Sequence, residues 1–272
     1  MRFFLNTAAV AMLVLTVALP LWGWARRRFY PAKVTAVEAY TVEPVAKKTV
    51  DHSVFDQLLK KYVVKGRVDY AKLKLEQDAL RGYLKSLETI QQSALSRDEV
   101  LGLFVNAYNA ATLELILEHY PGLASIKDIP AEKRWDDVRW TIAGELVSLS
   151  ELEHDILRKR FEEPRIHFAI NCASIGCPPL RSEVYTGANL EAQLQDQGLA
   201  MNRDFGGAKW DGTTLRLSKI YDWFEDDFTR HMELKNFVAQ YMAPGASDEV
   251  KQRAKVRIEF QDYNWALNGI RN

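Results

Sequence analysis

Only two of the 272 residues are cysteine, which excludes a disulfide-dense scaffold. Neither sign of charge is in excess. The 36 Lys and Arg are matched by 36 Asp and Glu, so there is no basic surplus to attract a polyphosphate. No basic stripe with interleaved aromatics occurs, and nucleic acid is not an expected partner. Walker, dinucleotide-fingerprint, HExxH and GxSxG motifs are also missing, which argues against those nucleotide-, zinc- and serine-dependent classes. No cofactor and no metal centre is expected. Internal repeats and low-complexity tracts are absent, and a single long uncharged run excludes a multi-span membrane protein.

That run extends from Phe3 to Ala25. Crossing a hydrocarbon core takes about 20 helical residues, so the segment is expected to act as a transmembrane anchor. A cleaved export signal is the alternative, because Gly23-Trp24-Ala25 places small residues where a signal peptidase reads. Arg26, Arg27 and Arg28 follow directly; their charge alone would hold the rest of the chain in the cytosol. Residues 26–50 read as a lightly charged tether, and residues 51–272 as one globular domain. The first 50 residues hold seven basic side chains and two acidic ones, so the body is mildly acidic.

What is present suits a folded body: 47% apolar and 26% charged residues, enough for a substantial core. Val54, Leu58, Leu59 and Tyr62 recur at helical spacing. A helix is expected from Ala71 to Gln91. Ser96-Arg97-Asp98-Glu99 reads as a capping box opening a helix to Tyr120, stopped by Pro121-Gly122. That helix is apolar nearly all round, which predicts a central buried position. Val138, Trp140 and Ile142 alternate, and Ala143-Gly144-Glu145 turns the chain into a hairpin. Ser150-Glu151-Leu152-Glu153 reads as a second capping box. Ile166 to Cys172 alternates like a strand, Lys209 to Leu217 reads as a tight hairpin, and Val256 to Phe260 as a late strand. Helices mixed with hairpins predict an α+β domain with short antiparallel pairs rather than a βαβ series.

The densest chemistry lies between His167 and Leu180. It holds Cys172 and Cys177, small residues between them, and Pro178-Pro179. The run Ala169 to Leu180, with Asn106-Ala107-Tyr108-Asn109-Ala110 and the block Leu152 to Arg158, resembles the domain-of-unknown-function family five-four-seven. Tyr185-Thr186-Gly187, Leu217-Ser218-Lys219-Ile220 and the block Tyr263 to Asn268 are similar to that family's later landmarks, so the likeness covers roughly Asp51 to Asn272. The resemblance implies an export or anchor segment, as bacterial members often carry, but no settled activity. It favours the extracytoplasmic side of the membrane, against the local arginine bias, with the cytosolic side as the alternative.

Four readings of the cysteines stand side by side: a nucleophile, a disulfide, a metal site and buried free thiols. As a nucleophile, Cys172 needs a basic neighbour. In a strict strand His167 shares its face with Ala169 and Asn171, opposite Cys172, so His154 is the better base and His167 its substitute. Asn106 and Asn109 sit three apart on the apolar helix; one is a candidate to orient an imidazole or an oxyanion, and the other reading has both bracing backbone. Ser174, Gly176 and Cys177 are candidate binding residues, with Arg165 and Arg181 flanking the block. His52 reads as a surface residue, and Asp222, Glu225, Asp226 and Asp227 as a solvated acidic face.

Two functions follow as expectations. One is a membrane-tethered cysteine-dependent hydrolase or acyl/amide transferase. The other is a non-catalytic module that binds a peptide, a small molecule or a partner protein, with the cysteine loop as a structural clasp.

Overall fold

The computed structural model describes residues 48–270, which form one compact unit. The expected anchor (1–25) and nearly all of the tether (26–50) lie outside the described residues.

The chain opens with α1 (Ser53–Tyr62), whose Phe55, Leu58, Leu59 and Tyr62 are buried at the spacing the sequence predicts. A two-residue pair, β1 (Val63–Val64) and β2 (Arg67–Val68), turns at Lys65-Gly66. The long helix expected next is broken into short turns before α2 (Gln77–Ser86). At the centre is α3 (Arg97–His119), buried along nearly its whole length. It is long and apolar enough to cross a membrane, yet 94% of its most apolar window is buried in the domain, as a core helix requires. Ser96 caps it by accepting from Glu99 N. The Glu99 carboxylate does not close the expected box. It accepts from the backbone of Val50 and Gly187 instead, tying the first described residues and a later loop to the helix start.

β3 (Trp140–Ile142) and β4 (Glu145–Val147) form the expected hairpin, with Ala143 and Gly144 both at positive φ. The helical run that follows starts two residues earlier than its sequence signal. Ser148 is the cap and Glu151 its reciprocal partner. Next come a π-helical stretch, Leu152–Leu157, and a final turn, Arg158–Phe161. The shift removes Glu153 from capping and sets it on the inner face beside Leu152 and Ile156.

Ile166 to Cys172 is not a strand. Ile166–Ala169 is one helical turn, with Ile170 N donating to Ile166 O; only then does the backbone extend. Alternation over so short an apolar run does not separate strand from buried helix. After α4 (Leu190–Leu199), β5 (Ala208–Trp210) pairs antiparallel with β6 (Thr214–Leu217), which pairs parallel with β7 (Arg257–Phe260). The α+β character holds; the β6–β7 pairing departs from the all-antiparallel expectation because the long connection from Ser218 brings the chain back in the same direction.

The core has two apolar clusters. The larger surrounds α3, and the smaller gathers Leu215, Leu217, Tyr221, Phe228, Phe237 and Tyr241. Phe168 inserts into the smaller cluster while its neighbours Ile166, Ala169 and Ile170 belong to the larger one.

Candidate functional site

The cysteine loop is held in shape by amides. Asn171 Nδ2 donates to Pro178 O, and its Oδ1 accepts from Ala173 N and from Asn268 Nδ2. The Ala173 N–H bond closes an Asx turn, and Ala173 sits at φ +61°. Ile175 N and Gly176 N donate to the backbone of Ala266 and Asn264, so the loop lies against the carboxyl-terminal segment. A Cβ at Gly176 would meet the Tyr263 ring and Asn264 N, both at 2.9 Å, so only glycine permits this approach.

Within this loop Cys172 and Cys177 come to disulfide distance, with Cα atoms 6.4 Å apart, inside the range a disulfide demands. Both residues are half-buried. Tyr263 Oη lies 3.1 Å from Cys172 Sγ and 3.0 Å from Cys177 Sγ, and Cys172 N donates to Cys177 Sγ at 3.0 Å. No histidine is hydrogen-bonded to either sulfur among the described residues.

The sulfurs open onto a cavity of about 260 Å³. One wall is aromatic: Trp223, Tyr263 and Trp265 pack together with ring centres 4.5–5.7 Å apart. Trp135, Tyr108 and Phe224 also line it. Glu153 lines the same cavity. It is half-buried, and burial pushes its carboxyl up to about 7 despite a bond donated by Tyr108 Oη at 3.2 Å. Burial, with the Glu153 charge added, holds the Tyr108 hydroxyl far above its ordinary value, so it acts as a donor.

His154 and His167 both line this cavity, with Cys172. Because residues 166–169 are helical, the strand argument that separated His167 from Cys172 does not apply. His154 Nδ1 is 3.1 Å from an Arg158 guanidinium nitrogen. Burial first, then Arg158, lowers its pKa. His167 is buried, stacks on Phe224 with ring centres 3.9 Å apart, and directs Nε2 to Asp227 Oδ2 at 2.8 Å. Burial lowers its pKa against the pull of Asp227. Bonded to a carboxylate, Nε2 carries the proton, which leaves Nδ1 a lone pair. Asp227 is not part of a solvated face: burial pushes its carboxyl up, but bonds from His167 and Arg158 outweigh this and hold it well below its usual range.

The other sequence candidates are placed as follows. Asn109 Nδ2 donates to Ala169 O and its Oδ1 accepts from Asn171 N, bracing the start of the cysteine loop. Asn106 makes the same paired bonds to the Tyr185 backbone. Arg165 is paired with Glu163 and Glu191, and Arg181 with Glu183 and Asp196; neither lines the cavity. Ser174 is buried and bridges to Leu267. His52, expected at the surface, is buried with Nδ1 2.7 Å from Tyr83 Oη. No group of three or more His, Cys, Asp or Glu side chains is placed to hold a metal ion among the described residues.

In the sequence Glu153 reads only as a capping residue, and Tyr263 and Trp265 only as part of a family block, not as site residues. A signal for Glu153 was there: Leu149, Leu152, Glu153, Ile156 and Leu157 follow the i, i+3, i+4, i+7, i+8 stripe of a buried helix face, with one carboxylate on it. For Tyr263 the only signal is its family block, because no spacing rule connects it to sulfurs that it meets from 86 residues beyond Cys177.

No curated protein and no solved structure matches the chain. Residues 92–200, which span α3, the Glu153 run and the cysteine loop, match the model of the family described as "Protein of unknown function, DUF547", the family its motif blocks resemble.

Proposed function

We propose that this DUF547-containing chain is a membrane-tethered enzyme of the extracytoplasmic side that carries out thiol–disulfide exchange at Cys172 and Cys177. The observation that carries the reading is the Tyr263 hydroxyl set on both half-buried sulfurs at the wall of the cavity. An incoming thiolate attacks Cys172 Sγ. The S–S bond breaks and its electron pair leaves on Cys177, while the new bond joins the substrate sulfur to Cys172. Cys177 is the better leaving sulfur because two donors, Cys172 N–H and Tyr263 O–H, face it, whereas Tyr263 alone faces Cys172. A second substrate thiolate then attacks the substrate sulfur and releases Cys172. Two substrate thiols are thereby oxidised to a disulfide and the cysteine pair is reduced; a small disulfide reverses the steps and restores the pair. An oxidising compartment suits such a pair, as does the uncharged segment Phe3 to Ala25 ahead of it.

Acyl or amide transfer by a reduced Cys172 is the second reading, favoured by a carboxyl in the same cavity that titrates near neutrality and so suits a proton acceptor. The test is to mix oxidised protein with 2-mercaptoethanol, quench in acid and locate the adduct by mass spectrometry. The expected result is a mixed disulfide on Cys172, a free Cys177, and a rate at least 100-fold above that of a small-molecule disulfide. An ordinary rate, or an adduct on Cys177, overturns the exchange reading. Acylation of reduced Cys172 by a thioester probe would then support transfer, and inertness to both would leave the cavity a binding site. An alkaline phosphatase fusion after Asn272 tests location: activity is expected, and an inactive, well-expressed fusion would place the domain in the cytosol.

A further inference from the structure

We infer that the cavity beside Cys172 selects a cationic amine, held by its ammonium group between the aromatic wall and Glu153. This deepens the exchange reading and rests on it for the identity of the site: the favoured substrates are thiols and disulfides that carry an ammonium group.

The lining has an uneven composition. Aromatic rings form much of it, two carboxylates (Glu153 and the exposed Asp136) belong to it, and no Lys or Arg does. Aromatic faces attract cations, the more so when the cation leaves water, and a carboxylate completes the counter-charge. Of the cations near the cavity's rings, Arg158 is committed to Asp227 and lies over Phe224, 5.1 Å from the ring centre, and Lys127 Nζ lies 4.0 Å from the Trp265 ring centre, so the ammonium is assigned to Trp223 and Tyr263. A second, independent observation comes from His167. It is 2% exposed and stands in the wall, and its Nδ1 is buried without a hydrogen-bond partner among the described residues. Since Nε2 holds the proton against Asp227, Nδ1 can only accept, which suits an N–H donor and repels an anion. An anionic or purely apolar ligand would leave the two carboxylates without a counter-charge.

The charge that matters is set among the groups that act electrostatically on Glu153 or on which it acts: Tyr108 from α3, Arg158 from its own run, Asp227 from the helix Glu225–Thr229, and Tyr263. With its carboxyl pushed up to about 7, Glu153 is mostly ionised at pH 8 and mostly protonated at pH 6.

The test uses phenethylammonium and phenylacetate, which share a ring and differ in charge and contain no sulfur, so binding is read apart from exchange. Both are titrated into the full chain at pH 8, following tryptophan fluorescence. Phenethylammonium is expected to bind at least tenfold more tightly than phenylacetate. That preference should shrink at least fivefold in Glu153→Gln and at pH 6, and affinity should fall in Trp223→Leu, a half-exposed position whose loss leaves the core intact. Equal binding of the two ions, tighter binding of phenylacetate, no binding of either, or a preference unchanged in Glu153→Gln overturns the proposal. Exchange is then compared between cystamine, a dicationic disulfide, and the neutral hydroxyethyl disulfide. Faster reaction of cystamine joins the two readings. Failure of both disulfides with ammonium binding intact rejects the exchange reading alone.

Discussion

At the residue scale the molecule turns on Glu153. A carboxyl in an aromatic cavity is destabilising when ionised, and the chain carries one there with a single hydroxyl donor. This has a consequence for stability. Between the ordinary glutamate value near 4.5 and about 7, the folded protein keeps a proton that the unfolded chain releases. The folded state therefore binds more protons across that window, and stability falls as pH rises through it. The loss is on the order of 3 kcal/mol once both states are ionised. Glu153→Gln removes the titration. What remains is the opposite contribution of His52, His154 and His167, whose burial-lowered pKa values make stability rise with pH, so between pH 5 and pH 8 the urea midpoint of the variant is expected to gain clearly more than that of the unchanged protein. Equal pH dependence in the two would mean the carboxyl is solvated in the folded state.

At the element scale the question is how a cysteine loop is fixed against a helix. The central helix does this with two amides one turn apart. Asn109 satisfies one buried donor and one buried acceptor at the loop's start, and Asn106 does the same for the backbone of Tyr185. Removing Asn109 leaves Asn171 N–H and Ala169 C=O unpaired in a dry interior. The expected loss for Asn109→Ala is about 2–4 kcal/mol in urea unfolding, from two orphaned groups plus a small cavity. Asn106→Ala should lose a similar amount. Because Asn109 fixes the cysteine loop and Asn106 a different one, only the former should also slow reaction at Cys172. Matching rates for the two variants would show that loop placement does not depend on Asn109.

The same elements show what was legible beforehand. The long helix, its Ser96 cap and its burial were written in composition and capping chemistry, which act over a few residues. So were the hairpins, where Ala143-Gly144 and Asp211-Gly212 turn chains of alternating character. The failures arose where a local signal had two solutions. Ser148 and Ser150 compete for one helix start, and choosing the later one assigns Glu153 to the cap and hides it. The Ile166 to Cys172 run alternates, yet Pro164 O and Arg165 O accept bonds from His167 N and Phe168 N and wind it into a turn. Cys172, Cys177, His154 and His167 do share one cavity, as a reading of residue types suggests. Tyr263 and the tryptophan wall arrive from sequence positions too distant for any spacing rule to connect.

At the scale of the whole molecule, the two apolar clusters raise the issue of whether they fold apart. The cavity draws Tyr108 and Leu149 from the α3 side and Ile220 and Phe224 from the smaller cluster. Phe168 is fully buried among Tyr221, Phe228 and Tyr241, although its chain neighbours pack on the α3 side. α4 is shared as well: its Leu190 and Leu194 belong to the α3 cluster, while a Cβ at Gly198 would stand 2.5 Å from the Tyr241 ring and 3.1 Å from Phe168 of the smaller one. Elements shared this closely transmit any loss of packing from one cluster to the other, so the domain is expected to unfold in one step. Trp140 reports on the α3 cluster and Trp210 packs on the smaller one. Single-tryptophan versions retaining one or the other should give superimposable urea transitions, coincident with the loss of helical circular dichroism. Gly198→Ala should shift all three curves together to lower urea, by roughly 1–3 kcal/mol of overpacking. Separate midpoints for the two tryptophans would mean that the smaller cluster is an independently folding subdomain, and that the cavity is closed by docking rather than built into a single core.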